Sequence, residues 1–323
     1  MSKFFDALSK AQGEVAAMAL PLIDRAGSAG SAGSAGSAGV AAEPRGRVHI
    51  ASPSAASPSL YPIGPPKIEP KHVGVEEVHV KRLDRVVFHT DPDGPAADRF
   101  RLLQMRLREY WTAGKLRSVL VTSPLPGDGK TTIALNLATA LTEQRKRKVL
   151  LIDADLHRGC LSEWLGCRAD AGLAECLQNG GLQGGLNPLS VIRRVEPLGW
   201  HVLTSGKPGA GSPTELLQPE EISTLIQKLS PHFDWIVIDS PPVLALSDAV
   251  ALKHHVDGSL LVARAGVTSA KAVEDAIALL GRKHIVGLIL NGMEKLDQPY
   301  SAYYNYHRRE SNDPVARQAD LFR

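Results

Sequence analysis

From residue 118 onward the chain consists of short Val-, Ile- and Leu-rich runs separated by longer stretches with helical spacing. The apolar runs predict strands over Ser118–Thr122, Lys148–Ile152, His201–Leu203, Trp235–Ile238, Gly258–Val262 and Ile285–Leu290. Helices are expected between them, including Thr131–Glu143, Thr214–Leu229 and Ala270–Leu280. Strands without polar alternation are covered on both faces, and strands that alternate with helices build a parallel sheet. The pattern therefore predicts an α/β fold, a doubly wound and mostly parallel sheet spanning roughly residues 98 to 296. Ligands of such sheets sit at the C-terminal ends of the strands, which is where chemistry should be sought.

Upstream the pattern changes. Phe4, Leu8, Ala11, Val15, Met18 and Leu22 line one face of an amphipathic helix over residues 1–25. Its charges balance, which favours docking on protein over binding a membrane surface; packing back on its own domain is the alternative. Residues 26–39 repeat Gly-Ser-Ala and residues 40–74 are rich in Pro, Ser and Ala, so 26–74 reads as a flexible and then stiffer linker. A folded domain is expected over 75–296, and the polar segment 297–323 reads as a mobile tail.

Composition adds limits. The 323 residues are 43% apolar and 22% charged, ordinary for a globular chain. The net charge of +3 gives no electrostatic case for nucleic acid. No apolar run approaches the length of a membrane span and no signal peptide opens the chain, so a cytoplasmic location is expected. Cys160, Cys167 and Cys176 lack metal-ligand spacing and read as small buried hydrophobes, and His254-His255 reads as a surface helix end. One oddity stands out: of six tyrosines, Tyr300, Tyr303, Tyr304 and Tyr306 fall together in the tail.

The candidate chemistry follows the first long strand. There Gly127-Asp128-Gly129-Lys130-Thr131-Thr132 matches the second half of a P-loop and opens a helix. Glycines let backbone N–H groups approach phosphates, the helix N-terminus adds positive potential, the lysine reaches the β/γ-phosphates and the Thr131 hydroxyl ligates Mg²⁺. Pro124 stands where the first glycine of the full pattern would be, so the chain reads as a P-loop NTPase with deviant nucleotide-binding motifs. Two further strands end in carboxylates, Asp153-Ala154-Asp155 and Asp239-Ser240-Pro241-Pro242. Beside a P-loop such carboxylates hold hydrated Mg²⁺ and orient an attacking group. ATP and Mg²⁺ are the expected ligands.

The ordered set TSPLPGDGKTT, VLLIDADLHRG, LTSGKPGAGSPTELL, DWIVIDSPPVLALSDA, GLILNG and YSAYYNYHRRE resembles the bacterial protein-tyrosine kinases of capsule and exopolysaccharide synthesis. The resemblance covers roughly residues 97 to 306 and implies autophosphorylation in trans, with Tyr300, Tyr303, Tyr304 and Tyr306 as phosphoacceptors. It implies that Lys130 and Thr131 hold phosphates and Mg²⁺, and that Asp153 is the base or orienter for the tyrosine hydroxyl. It further implies that Asp155 supports the metal, Asp239 is an outer-sphere metal carboxylate and Asn291 lies near the adenine. Implied partners are a membrane chain-length regulator (a polysaccharide co-polymerase) that recruits the chain to the inner face of the plasma membrane, a second copy of the chain in a ring, and a cognate tyrosine phosphatase. Two departures stand. The Glu-x₂-Arg-x₂-Arg element of ring assembly appears as Asp98, Arg101 and Gln104, and the arginine common in the second acidic motif is His157, followed by Arg158. The competing readings are an ATPase switch of the chromosome-partitioning or division-site type, whose signature lysine is Leu125 here, an iron–sulfur assembly ATPase, whose paired cysteines are missing, and a non-catalytic ATP-binding subunit of an export complex.

Overall fold

A computed structural model describes residues 77–80, 83–166, 171–178, 186–207 and 212–293. The expected N-terminal helix, the linker, Cys167 and the tyrosine cluster lie outside these residues. In chain order the strands are β1 (Glu77–His79), β2 (Ser118–Thr122), β3 (Val149–Asp153), β4 (Arg193–Glu196), β5 (Trp200–Leu203), β6 (Trp235–Asp239), β7 (Gly258–Arg264) and β8 (Ile285–Asn291). The helices are α1 (Val87–Thr90), α2 (Pro95–Thr112), α3 (Lys130–Leu141), α4 (Cys160–Leu165), α5 (Leu173–Leu177), α6 (Pro213–Leu216), α7 (Pro219–Leu229), α8 (Asp248–Leu252) and α9 (Ala270–Leu280).

The eight strands form one sheet in the order β1-β4-β5-β3-β6-β2-β7-β8. Six run parallel to one another, and only the β4–β5 pair is antiparallel. Alternate residues feed opposite faces, as the pleat requires. Leu120, Leu150, Ile152, Ile236, Ile238 and Leu261 pack with α5, α7, α8 and α9 on one side. Val119, Val121, Leu151, Val237 and Val262 pack with α2, α3 and α4 on the other. Both faces are covered, so the doubly wound, mostly parallel prediction holds.

Two details differ from the sequence reading. The helix expected over Thr214–Leu229 is two helices, because Pro219 has no N–H to donate and holds Gln218 extended (ψ 141°). Strands β1 and β4 were not predicted. They are short, and Arg193 and Arg194 give β4 no apolar run to read.

Among the described residues no helix is long and apolar enough to cross a membrane. Helix α2 carries the departed assembly element. There Arg101 donates to Asp98 Oδ1 (2.7 Å) and to the Pro92 carbonyl (2.6 Å), and it lies over the Phe88 ring. The retained arginine is thus engaged within its own chain.

Candidate active site

Strand order places the chemistry. Strands β3, β6 and β2 are neighbours, and their C-terminal ends carry the two acidic motifs and the P-loop. Asp153 and Asp239 are direct partners in the β3–β6 register, and Asp239 pairs with Val121 of β2. Counting by twos along β3 and β6 places both carboxylates on the face covered by α3, the helix that the P-loop opens.

The loop itself is tightly braced. Gly127 (φ +87°) and Gly129 (φ +95°) adopt the left-handed conformation that glycine takes without steric cost. A Cβ on Gly129 would also run into the Asn291 carboxamide. The buried Asp128 carboxylate accepts the Leu125 N–H (2.9 Å) and the Thr268 hydroxyl (2.6 Å). Asn291 donates to the Asp128 carbonyl (2.9 Å), and Thr268 accepts the Arg264 N–H (2.8 Å). The ends of β7 and β8 therefore clamp the loop from one side. Asn291, expected near the adenine, braces the loop through its bond to the Asp128 carbonyl. Pro124 fits as the loop's rigid entry, its carbonyl accepting the Leu244 N–H (3.3 Å).

Lys130 extends from the first turn of α3 to Asp155 Oδ2 at 2.9 Å, with the Thr131 hydroxyl 3.4 Å from its ammonium. Burial works against that charge, but Asp239, Asp155 and Asp153 outweigh it and hold the ammonium above the ordinary lysine value. Asp153 is fully buried and accepts the Asp155 N–H (3.2 Å) and the Leu161 N–H (3.3 Å). Burial, then the charges of Asp239 and Asp155, push its carboxyl well above the usual range. Burial likewise raises Asp239 to about 6, with Lys130 and the Thr131 hydroxyl pulling it back.

Three buried carboxylates facing one ammonium leave negative charge that a cation would relieve. Asp155 Oδ1 and Asp239 Oδ1 are buried without a hydrogen-bond partner. Among the described residues no three His, Cys, Asp or Glu side chains converge on a point where they would ligate a metal directly. That donor set fits Mg²⁺, which keeps several waters and takes few protein ligands. The Thr131 hydroxyl would then be a direct ligand, with the carboxylates holding its waters. Of the remaining sequence candidates, Thr132 lends its carbonyl to the Asn136 side chain (2.9 Å). Cys176 is buried, its thiol pushed up to about 12 by burial and then by Glu175. Cys160 is only partly buried and opens α4, contrary to the expectation of a core cysteine. Sequence reasoning missed Thr268 as a brace, since nothing in Ala265–Ala270 has a motif.

Comparison with known proteins agrees with this geometry. A family described as an AAA domain matches residues 119–276. The chain is 32% identical over 230 residues to the tyrosine-protein kinase YwqD of Bacillus subtilis, covering 69% of this chain and 92% of that one. It is 36% identical over 193 residues to the tyrosine-protein kinase ptk of Acinetobacter johnsonii, covering 59% of this chain but only 25% of that protein's length. The solved kinase domain of Escherichia coli tyrosine kinase ETK superposes with a TM-score of 0.60 at 30% identity, covering 68% of this chain and 90% of that one. The VpsO kinase domain superposes with a TM-score of 0.51 at 31% identity, covering 62% and 98%. The braced P-loop, the two carboxylate-ending strands beside it and these matches together place the chain in the bacterial tyrosine-protein kinase family.

Proposed function

We propose that the chain is an ATP- and Mg²⁺-dependent tyrosine autokinase that phosphorylates Tyr300, Tyr303, Tyr304 and Tyr306 of a neighbouring copy. The observation that carries this reading is the convergence of Lys130, Thr131, Asp153, Asp155 and Asp239 at the ends of three adjacent strands. The α3 N-terminus and the glycines of the loop bind the phosphates, and Lys130 exchanges its Asp155 partner for a phosphate oxygen. Bound Mg²⁺ supplies charge neutralisation on the phosphate oxygens. Asp153 accepts the phenol proton as the tyrosine oxygen attacks the γ-phosphorus and the bond to ADP breaks. Tyrosine's ordinary pKa of about 10 makes a positioned acceptor necessary. Burial and the neighbouring carboxylates favour the protonated form of Asp153, and a divalent cation beside it would favour the ionised form that accepts a proton. Asp155 and Asp239 would hold the waters of a bound Mg²⁺.

In the proposed setting the kinase domain over 75–296 serves a polysaccharide assembly apparatus with a membrane chain-length regulator, docks on it through residues 1–25 and is opposed by a tyrosine phosphatase. Incubation with ATP and Mg²⁺ followed by mass mapping tests the core of the proposal. Phosphate should appear on the tail tyrosines and vanish in Lys130→Met, whereas ATP hydrolysis without tail phosphate would favour the ATPase-switch reading. Mixing Lys130→Met chains with wild type should label the variant's tail; unlabelled variant tails would refute transfer in trans.

A further inference from the structure

Asp155 lies at the start of a single tight turn. Its carbonyl accepts the Arg158 N–H (3.1 Å) and the Gly159 N–H (2.9 Å). His157 sits inside this turn and meets two other segments. Its Nε2 is 3.2 Å from Asp248 Oδ2, at the start of α8, and 3.5 Å from the Thr214 hydroxyl, in α6. Thr214 itself donates to Asp248 Oδ1 (2.8 Å). The Asp248 side chain is completely buried, and its Oδ2 lies against His157 without an aligned hydrogen-bond donor. On the far side of the turn, Gly159 is close enough to Ser205 that a Cβ there would stand 2.6 Å from the Ser205 hydroxyl.

A buried carboxylate that interacts with two other segments is costly unless those contacts persist. Three chain segments therefore converge on Asp248: the turn after β3, the start of α6 and the start of α8. The first of them carries Asp155, whose other face holds Lys130.

We propose that His157, Asp248 and Thr214 are positioning residues, a clasp that fixes the Asp155 turn so that its carboxylate faces Lys130 and the cation site. None of the three touches nucleotide; they act through Asp155. The inference rests on the kinase reading for its rate effects but not for its effect on metal-dependent nucleotide binding. Residues that orient a metal-site carboxylate cost about 10-fold or more in metal affinity or activity when removed. An arginine at position 157 would supply the aligned donors that Asp248 Oδ2 lacks.

The test uses the full chain as wild type, His157→Ala, His157→Arg and Thr214→Val. A fluorescent ADP analogue is titrated with Mg²⁺, and kcat and KM for ATP are measured for tail phosphorylation. In His157→Ala the Mg²⁺ concentration for half-maximal nucleotide binding should rise about 10-fold and kcat should fall by a similar factor, with KM for ATP changed less than about twofold. His157→Arg should restore both, and Thr214→Val should show a smaller shift in the same direction. A His157→Ala chain with wild-type Mg²⁺ dependence overturns the clasp, as does an arginine variant no better than alanine at wild-type melting temperature. If wild type shows the Mg²⁺ dependence but makes no phosphotyrosine, the kinase reading fails while the clasp stands on its binding readout.

Discussion

Asp153 and Asp155 are two positions apart yet face different demands. Asp153 ends a strand, is sealed from solvent and spends both oxygens on backbone N–H groups; Asp155 follows it into a turn and holds the P-loop lysine. Both were legible as candidates because carboxylates at strand ends beside a P-loop form a recognisable pattern. Their division of labour was not, since it depends on where the following turn folds back. Thr268 and Asp248 were illegible as site residues for the same reason: each reaches the site across more than a hundred positions or between separate loops. Replacing Thr268 with Val removes a donor from the buried Asp128 carboxylate, a change worth about 1–3 kcal/mol at a buried acceptor. We expect KM for ATP to rise roughly 5-fold or more, read by steady-state kinetics; an unchanged KM would show that the loop keeps its shape without this brace. His201 gives a prediction in pH. Burial, reinforced by Arg194 and Lys148 and opposed by a Val149 backbone hydrogen bond, holds its pKa below the ordinary histidine value. The unfolded chain therefore binds this proton first, and stability is lost as the pH falls below about 6.5. Asp239, raised to about 6, pushes the other way in nucleotide-free protein, so a comparison of variants is needed. The melting temperature of wild type relative to His201→Gln should drop between about pH 7.5 and about pH 5.5, and a difference independent of pH would contradict the assignment.

At the scale of elements, the predicted and observed strands agree where the apolar run is long. Strands β2, β3, β6 and β7 were each readable because burial on both faces demands runs of Val, Ile and Leu, and β8, the less buried edge strand, still carries enough Ile, Val and Leu to read. Helix α7 shows the corresponding helical signature, with Ile222, Leu225, Ile226 and Leu229 buried on one face. Leu225→Ala should destabilise the domain by about 2–5 kcal/mol in denaturant unfolding, the range for a leucine deleted from a close-packed core. Tertiary contacts decided the elements that the pattern missed. The fully buried Asn136 of α3 accepts the Val87 N–H (2.8 Å) and donates to the Arg85 carbonyl (2.9 Å), tying the segment before α2 to the P-loop helix. Asn136→Ala would remove the partner of both backbone groups. Limited proteolysis should then cut near residues 83–90 faster than in wild type; equal rates would mean that packing alone holds the segment.

At the scale of the molecule, the candidate nucleotide and metal chemistry among the described residues lies on the edge of the sheet where β2, β3, β6, β7 and β8 end. Four phosphotyrosines would each add about −1.5 to −2 charges, moving the chain from +3 to about −3 to −5. A reversal of that size at the site edge should weaken any assembly held by tail–site contacts. Light scattering before and after ATP treatment should show smaller particles, and the shift should be lost when Tyr300, Tyr303, Tyr304 and Tyr306 are changed to Phe. Unchanged particle size on full phosphorylation would refute the electrostatic release. Arg101, the retained residue of the assembly element, is engaged with Asp98 and Pro92 in its own chain.

The sequence by itself determined the covered parallel sheet, the P-loop and the strand-end carboxylates, because each rests on local chemistry: unbroken apolar runs, glycines at positive φ and acidic residues at strand ends. It also set the tyrosine cluster apart before any fold was known. Only the tertiary structure decided which of those groups meet. Strand order brought β3, β6 and β2 together although their sequence order is different, and register set Asp153 beside Asp239. The contacts of Thr268, Asn291 and Asp248 join separate segments of the chain, so the bracing they supply follows from packing, even though Asn291 and Asp248 lie within motifs that the sequence displays.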